Sequence, residues 1–415
     1  MDTGNTAFLI ICTALVLMMT PALAFFYGGL VRAKSVISMM MMSFGSIAIV
    51  GLLWIIYGYA IAFPAFDSAS FYGIPGVFGI DIAHIGLEDL LVVPDGASVP
   101  PLVFAAFQAT FAIITVALIS GAIADRAKFG AWMVFAGVWA TLVYFPVASW
   151  IFNFTVVDGE MTSGGWLVYN VGALDFAGGT AVEINSGAAA LALALVLGKR
   201  IGFAKGIHKP HNVPFVLLGA GLLWFGWFGF NAGSAIAADG IAAIALINTM
   251  AAGTTGIIGW LIIERVKDGK ATSVGAASGA VAGLVAITPS CAYLTPTWAL
   301  VLGLVTGVLC ALAVELKFTF GFDDSLDVVG IHLVGGLIGT LFLGFFAAEV
   351  GLLYSGSFDQ LGKQAIAAFS VLVYSFVLTF AIGWVIEKTM GFRVRNEDEL
   401  AGIDLVMHGE ESYDY

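Results

Sequence analysis

The stretch G330-I-H-L-V-G-G336 carries an imidazole, His332, inside an otherwise apolar run. A second such run, A181-V-E-I-N-S-G187, carries the carboxyl group of Glu183. An ionisable side chain in hydrocarbon is energetically costly, so it faces a partner or a polar path in the interior of a helix bundle. The two stretches therefore predict helices that cross a membrane, with a functional site between them.

The composition supports a membrane protein. Of the 415 residues, 60% are hydrophobic and only 11% are charged, whereas soluble domains carry about 25% charged residues. The formal net charge is −12, and no basic patch is present that would favour nucleic-acid binding. We predict an all-α polytopic membrane protein in a lipid bilayer, with no cofactor and no metal.

Eleven stretches are long enough to cross the bilayer, which takes about 20 mostly apolar residues. Their predicted ranges are 7–30, 36–63, 101–123, 130–151, 176–197, 214–231, 240–263, 274–290, 297–315, 327–347 and 364–386. They define a transmembrane domain over residues 1–386 and a tail over residues 387–415.

The lysine and arginine residues alternate from loop to loop. They concentrate in the loops that follow odd-numbered spans, with Lys363 as the exception among 16. Because basic loops lie on the cytoplasmic side, we predict an external N-terminus and a cytoplasmic tail. The opposite loops are acidic, which would raise the local concentration of cations; ordinary solvation of external loops is an equal alternative.

The two ionisable residues occupy matching positions in oppositely directed helices. Glu183 follows Asp175 by eight residues, and His332 follows Asp324 by eight. Eight residues of α-helix cover about 12 Å of an apolar slab about 30 Å thick, so both groups are expected near mid-depth. This predicts an inverted repeat of spans 1–5 and 6–10 with the site at its interface, and span 11 as an addition.

An aromatic-rich stretch, L223-W-F-G-W-F-G-F-N-A-G-S234, ends the sixth predicted span, and F107-Q-A-T-F111 lies in the third. Aromatic faces attract cations. Phenyl rings across a pore would exclude hydrated ions, while a small cation that loses its water or its proton could pass. Interfacial anchoring of the tryptophans and plain packing of the phenylalanines are the alternatives.

Eight motifs follow one another along nearly the whole chain. They are F25-F-Y-G-G-L-V-R32, F107-Q-A-T-F-A112, A124-D-R-A127, G172-A-L-D-F-A-G-G179, W224-F-G-W-F-G-F-N-A-G-S-A235, A286-I-T-P289, D324-S-L-D-V-V-G-I-H332 and D404-L-V-M-H-G-E-E-S-Y413. Taken together they resemble those of the Amt/Mep/Rh family of ammonium transporters. The resemblance implies a transporter and not an enzyme, a homotrimer of eleven-helix protomers, and a pore for ammonium or methylammonium in each protomer.

The resemblance also implies roles for single residues. Ser234 would belong to an outer ammonium recruitment site, and Asp175 would lie near it as the cap of a helix N-terminus. Phe111 and Phe230 would form a stacked ring gate below that site, and His332 would be the second of two pore histidines. The residues expected to shape the pore wall are Trp227, Asn231, Tyr27 and Thr288.

Two positions depart from the family pattern. Glu183 stands where the family usually has histidine, although certain fungal members carry glutamate there. A carboxylate that faces an imidazole can form an ion pair or exchange one proton, and the two titrations then belong to the pair. At the outer mouth Phe152 or Trp150 stands near the position of a usual tryptophan, and an apparent insertion over residues 153–162 follows. We therefore expect a reshaped outer site that includes Phe152.

The function implied by the resemblance is electrogenic uptake across the plasma membrane. Ammonium would lose a proton at the gate, ammonia would cross the pore, and the proton would pass through Glu183 and His332. The alternatives are an ammonium sensor that conducts poorly and a gas channel for neutral ammonia. The acidic tail over residues 396–415 would pack under the bundle and could dock a PII-type regulator such as GlnK; a disordered end is its alternative.

Overall fold

Ten helices that are long and apolar enough to cross a membrane dominate the part of the chain that the computed structural model describes, residues 1–157, 159–203 and 209–413. They are Thr3–Leu30, Ala33–Ala62, Pro101–Ile123, Phe129–Phe152, Gly179–Leu197, Val213–Gly233, Gly240–Lys267, Pro296–Phe320, Val329–Phe346 and Asp359–Thr389. A shorter apolar helix, Ser273–Ile287, occupies the predicted eighth position. Numbered in chain order, these are spans 1 to 11. They confirm the all-α membrane fold; residues 414–415 of the predicted tail lie outside the described residues.

Short hairpins and helices lie in the loops between the spans and in the tail after span 11. Two antiparallel hairpins follow even-numbered spans, and they pair Phe71–Ile74 with Phe78–Asp81 and Phe154–Val157 with Glu160–Gly164. The short helices are Ile82–Leu91, Trp166–Val171, Leu352–Ser355, Asn396–Ala401 and Asp404–His408. The second hairpin overlaps the described part of residues 153–162, where the sequence predicts an insertion; residue 158 lies outside the described residues.

Spans 1 and 6, which are equivalent in the predicted repeat, pack against each other along their length. Their backbones approach closely because small residues lie at the contact. A Cβ atom added at Gly219 would stand 2.3 Å from the backbone nitrogen of Phe26. The same principle operates between spans 7 and 8, where a Cβ atom on Gly283 would lie 2.1 Å from the carbonyl oxygen of Ala252.

Spans 5 and 10 begin with the same local design. Each opens with a π-helical turn, Gly179–Ile184 in span 5 and Val329–Leu333 in span 10. These wide turns are uncommon in helices and frequently accompany functional sites. Glu183 lies in the π-helical turn of span 5, and His332 lies in that of span 10, as the inverted repeat requires.

The chain after span 11 packs back onto the ends of the spans. The backbone N–H of Val394 donates to the carbonyl oxygen of Arg126 at 2.9 Å. The carboxylate of Asp404 accepts hydrogen bonds from the backbone N–H groups of Ile37 at 3.0 Å and Ser38 at 2.8 Å. The tail thus supplies the cap for the first turn of the main helix of span 2, where N–H groups lack partners within the helix.

Candidate functional site

A cavity of about 380 Å³ opens at the end of the bundle that carries both hairpins. Its walls are mostly aromatic and apolar, with a few polar groups. The lining residues are Phe104, Gln108, Phe111, Ile151, Phe152, Phe154, Met161, Val168, Gly172, Ala173, Leu174, Asp175, Phe176, Ser234, Ile236 and Tyr293. The structure therefore brings together the three residues predicted for the recruitment site, Ser234, Asp175 and Phe152. We call this space the outer cavity.

Two stacked phenyl rings close the floor of the outer cavity. The ring centroids of Phe111 and Phe230 lie 4.2 Å apart with an interplanar angle of 28°, and each residue is 1% exposed. Phe111 lines the outer cavity, whereas Phe230 lines the next space inward. The rings therefore separate the two spaces, and movement of the rings is needed for a solute to pass.

Beyond the rings lies a cavity of only about 10 Å³, roughly the room that one water molecule needs. Six spans contribute to its walls, which are apolar apart from a few groups. The lining residues are Met19, Leu23, Phe26, Ile114, Leu118, Val182, Glu183, Leu223, Trp227, Phe230, Val281 and His332. We call this space the inner cavity, and both ionisable residues of the opening stretches border it.

Glu183 and His332 contact each other directly. The Oε2 atom of Glu183 lies 2.6 Å from the Nδ1 atom of His332, and the residues are 1% and 3% exposed. A proton on Nδ1 donates to the carboxylate, and a proton on Oε2 donates to the imidazole. The pair can therefore hold and exchange a proton in surroundings that contain almost no water.

Asp175 holds the start of span 5. Its Oδ1 atom accepts from the backbone N–H groups of Gly178 at 2.8 Å and Gly179 at 2.6 Å, and Oδ2 accepts from that of Thr180 at 2.7 Å. The hydroxyl of Thr180 also donates to Oδ2. The backbone N–H of Ala181 is a fifth donor, to Oδ2 at 3.3 Å. Five donors around one carboxylate fix its position, so Asp175 acts as a helix cap while it lines the outer cavity.

The predicted pore-wall residues divide into two groups. Trp227 lines the inner cavity, and its Nε1–H donates to the hydroxyl of Thr288 at 2.9 Å. Asn231 donates instead to the hydroxyl of Thr249 at 2.9 Å, and the hydroxyl of Tyr27 donates to the carbonyl oxygen of Leu118 at 3.0 Å. Among the described residues, neither cavity lining includes Asn231, Tyr27 or Thr288, so a role for these three in the pore wall stays a prediction.

Of Phe152 and Trp150, the structure places Phe152 at the outer cavity. Phe152 lines the outer cavity, with its ring centroid 6.2 Å from that of Phe111. Trp150 instead donates through Nε1 to the carbonyl oxygen of Val77, and its ring packs on Tyr374 with centroids 4.7 Å apart. The aromatic side chain that reaches the outer cavity after the Y144-F-P146 segment is thus the phenylalanine Phe152.

Sequence reasoning missed several residues of the outer cavity. Phe154 and Met161 come from the second hairpin, and Gln108 comes from the motif F107-Q-A-T-F111, in which the sequence assigns a role to Phe111 alone. The apparent insertion was a signal for the first two, because added chain at the mouth of a site changes its walls. Among the described residues, no group of three or more histidine, cysteine, aspartate or glutamate side chains could hold a metal ion.

The helical bundle, with its two cavities in line across a ring pair, defines the class of protein as an α-helical membrane transporter. The profile of the Ammonium Transporter Family matches residues 7–413. The chain therefore belongs to the ammonium transporter family.

Similar proteins support that assignment along the whole chain. A protein of Mycobacterium tuberculosis named ammonium transporter is 53% identical over 435 positions, which cover 100% of this chain and 91% of the relative. The solved structure of Candida albicans Mep2 has a TM-score of 0.86 at 33% identity and covers 100% of this chain and 91% of that chain. A solved structure named Sensor Amt Protein has a TM-score of 0.87 at 29% identity, with 98% of each chain covered.

Proposed function

We propose that this protein is an electrogenic ammonium transporter, which moves ammonia and a proton along separate paths. The observation that carries the proposal is the arrangement of the outer cavity, the Phe111–Phe230 rings and the Glu183–His332 pair. An accessible aromatic vestibule leads through a closed ring pair to a space of one-water size. A buried acid–imidazole couple borders that space.

Recruitment takes place in the outer cavity. Ser234 donates its hydroxyl proton to the carbonyl oxygen of Phe230 at 2.9 Å, which leaves oxygen lone pairs that can accept from an ammonium N–H. Phe152 and Phe111 present rings to the same space, and ring faces attract cations. Asp175 adds negative charge at the cavity wall. Together these groups bind a small cation that carries N–H donors.

Proton separation takes place between the two cavities. A hydrated ion cannot fit a space of about 10 Å³, and its charge is costly in apolar surroundings. Neutral ammonia meets neither obstacle. The proton that ammonium releases passes to the Glu183–His332 pair, where the 2.6 Å contact allows transfer between Oε2 and Nδ1. One proton thus crosses for each ammonia molecule, but the proton and the ammonia follow different paths.

An ammonium sensor is the second candidate, because the Sensor Amt Protein has the same fold as this chain. Relatives in Mycobacterium tuberculosis, Bacillus subtilis and Archaeoglobus fulgidus, at 53%, 43% and 41% identity, are instead named ammonium transporters. The greater identity to proteins named as transporters favours transport.

In proteoliposomes on a solid-supported membrane, an ammonium pulse is expected to drive positive charge into the lumen. The current should saturate with ammonium, should also appear with methylammonium, and should be absent with potassium pulses, because the ring pair excludes an ion that cannot lose a proton. Ammonium binding without current would instead support the sensor. Flux of ammonia without current would support a gas channel.

The same proposal covers the domain boundaries of the protein, its partners and its orientation in the membrane. Residues 1–386 form the transporter domain of a homotrimer in the plasma membrane, and residues 387–415 form a cytoplasmic tail. The hydrogen bonds between Asp404 and the start of span 2 support a tail whose position is coupled to that of the bundle. A PII-type regulator such as GlnK would dock on this cytoplasmic side. Native mass measurement of the purified protein tests the trimer, and protease access to the tail in sealed vesicles tests the orientation.

A further inference from the structure

The segment Gly172–Asp175 runs without regular secondary structure into span 5 and lines the outer cavity along its whole length. It ends at Asp175, whose carboxylate caps span 5. Buried peptide groups in such a segment need hydrogen-bond partners from elsewhere in the protein. The position of the segment therefore depends on what supplies those partners.

At Leu174 these partners come from Gln364 of span 11, which is 0% exposed, whereas the backbone N–H of Ala173 donates to the carbonyl oxygen of Leu167 at 3.0 Å. The Oε1 atom of Gln364 accepts from the backbone N–H of Leu174 at 2.7 Å, and its Nε2 atom donates to the carbonyl oxygen of Leu174 at 2.7 Å. The side-chain amide thus pairs with both polar groups of one residue, as a neighbouring β-strand would. Nε2 also donates to the carbonyl oxygen of Thr340 in span 10 at 3.1 Å, so one amide ties three parts of the protein together.

A second glutamine fixes the direction of this amide. Gln360, one helical turn earlier, donates through Nε2 to Oε1 of Gln364 at 2.9 Å and to the carbonyl oxygen of Gly172 at 3.4 Å. Oε1 of Gln364 therefore accepts two N–H donors, while its Nε2 meets two carbonyl oxygens. A flipped amide would oppose like groups at all four contacts, so the orientation is unambiguous.

We propose that Gln364 is a positioning residue for ammonium recruitment. Through Leu174 it sets the shape of the outer cavity wall next to Asp175, whose carboxylate is held by the start of span 5, and so it sets the apparent affinity for ammonium. Span 11, which lies outside the inverted repeat, acquires a role in the function through this contact. The inference rests on the proposed transport function, because it concerns the cation site of that transporter.

Gln364→Met tests the inference with little change in side-chain length, and it removes the four hydrogen bonds of the Gln364 amide but leaves the bond from Gln360 to Gly172. Each peptide group of the half-buried Leu174 that loses its partner destabilises the observed position of the segment. We expect the ammonium concentration at half-maximal current to rise about 10-fold, with the maximal current within about twofold of the wild type. The maximal current persists because neither the Phe111–Phe230 rings nor the Glu183–His332 pair contacts Gln364 through a described hydrogen bond.

Tyr374→Phe is the matched control on the same helix. It removes the hydrogen bond from the hydroxyl of Tyr374 to the carbonyl oxygen of Leu142, at 2.7 Å, and Tyr374 does not belong to the lining of the outer cavity among the described residues. This variant is expected to keep the half-maximal concentration of the wild type. A general loosening of span 11 would affect both variants alike and would count against the inference.

Gln364→Glu provides a second, independent readout. An ionised glutamate accepts from Leu174 N–H but donates to neither Leu174 nor Thr340, whereas a protonated glutamate regains one donor. The half-maximal concentration of this variant should therefore approach the wild-type value as the pH is lowered, when both proteins are compared at each pH. Unchanged apparent affinity in both Gln364 variants, or a loss of maximal current alone, would overturn the inference. A wild-type protein without saturable current would instead overturn the proposed function.

Discussion

Replacing Glu183 with glutamine is expected to abolish ammonium-driven current while the protein stays folded. The amide of glutamine has nearly the size of the carboxyl group and can still hydrogen-bond to Nδ1 of His332, which lies 2.6 Å from Oε2 in the wild type. It cannot take up or release a proton at neutral pH. Because loss of a positioned acid–base group slows proton transfer about 10²–10⁴-fold, we expect the current to fall by at least about 100-fold.

The measurement is the peak current after an ammonium pulse, combined with a thermal melt of the same purified protein. An unchanged melting temperature with no current would locate the effect in proton transfer. Full current in the variant would contradict the relay, because charge would then cross without a titratable group at residue 183. A variant that lost current and fold together would be interpreted through the histidine control.

Glu183→His is that control. Histidine restores a group that titrates near neutral pH, and the family usually carries histidine at this position. We expect this variant to retain measurable ammonium current with a changed pH dependence, since two imidazoles share a proton differently from an acid and an imidazole. Current in the histidine variant and no current in the glutamine variant would show that a titratable group at residue 183 matters more than the shape of the side chain.

The fold could be predicted because bilayer thickness imposes a length on every apolar helix. Predicted span 10, residues 327–347, compares with the observed Val329–Phe346, and predicted span 3 coincides with Pro101–Ile123. Span 8 is the weakest case. Its helix ends at Ile287, because the chain turns sharply from Thr288 onward, and apolar composition alone does not reveal such a turn.

The contact between Glu183 and His332 could also be anticipated, since burial of either group without a partner is costly and equal spacing from an aspartate puts both at one depth. The pore wall could not be assigned in the same way. Span 6 is apolar on nearly every face, so its periodicity does not separate Trp227, which borders the inner cavity, from Asn231, which bonds to span 7. The contact of Gln364 with Leu174 joins residues 190 positions apart. A local sequence pattern therefore cannot predict it.

A second large effect is expected at Asp323, in the connection between spans 9 and 10. Its side chain is 0% exposed and accepts from Arg200 through the backbone N–H at 2.7 Å, Nε at 2.9 Å and a terminal guanidinium nitrogen at 2.8 Å. Arg200 also donates to the carboxylate of Asp125 at 3.0 Å. Removal of one partner from a buried ion pair costs about 3–5 kcal/mol, and the lower end of this range applies here because Asp125 remains as a partner of Arg200. Asp323→Ala should lower the free energy of unfolding by about that amount.

The pH dependence of stability supplies a second observable for the same site. Burial alone would raise the pKa of Asp323, but the hydrogen bonds from Arg200 and the positive charges of Arg126 and Arg200 outweigh it and hold the pKa below its ordinary value. The stabilisation is therefore fully present above the unfolded-state pKa of about 3.9 and is lost as the pH falls through the lower folded-state pKa. The wild-type protein should lose this part of its stability in acid, and Asp323→Ala should lack that loss.

Asp398→Ala is the matched control, because it also removes an aspartate from an arginine pair. Asp398 accepts from Arg395 at 3.0 Å, but Arg395 has a side chain that is 73% exposed, and solvent-exposed pairs contribute little to stability. We expect the control to melt at the wild-type temperature in detergent, while Asp323→Ala melts well below it. Equal melting temperatures for the two variants would contradict the buried network as a source of stability. A lower melting temperature for Asp323→Ala alone would assign this part of the stability to the contacts of Asp323 with Arg200 and Arg126.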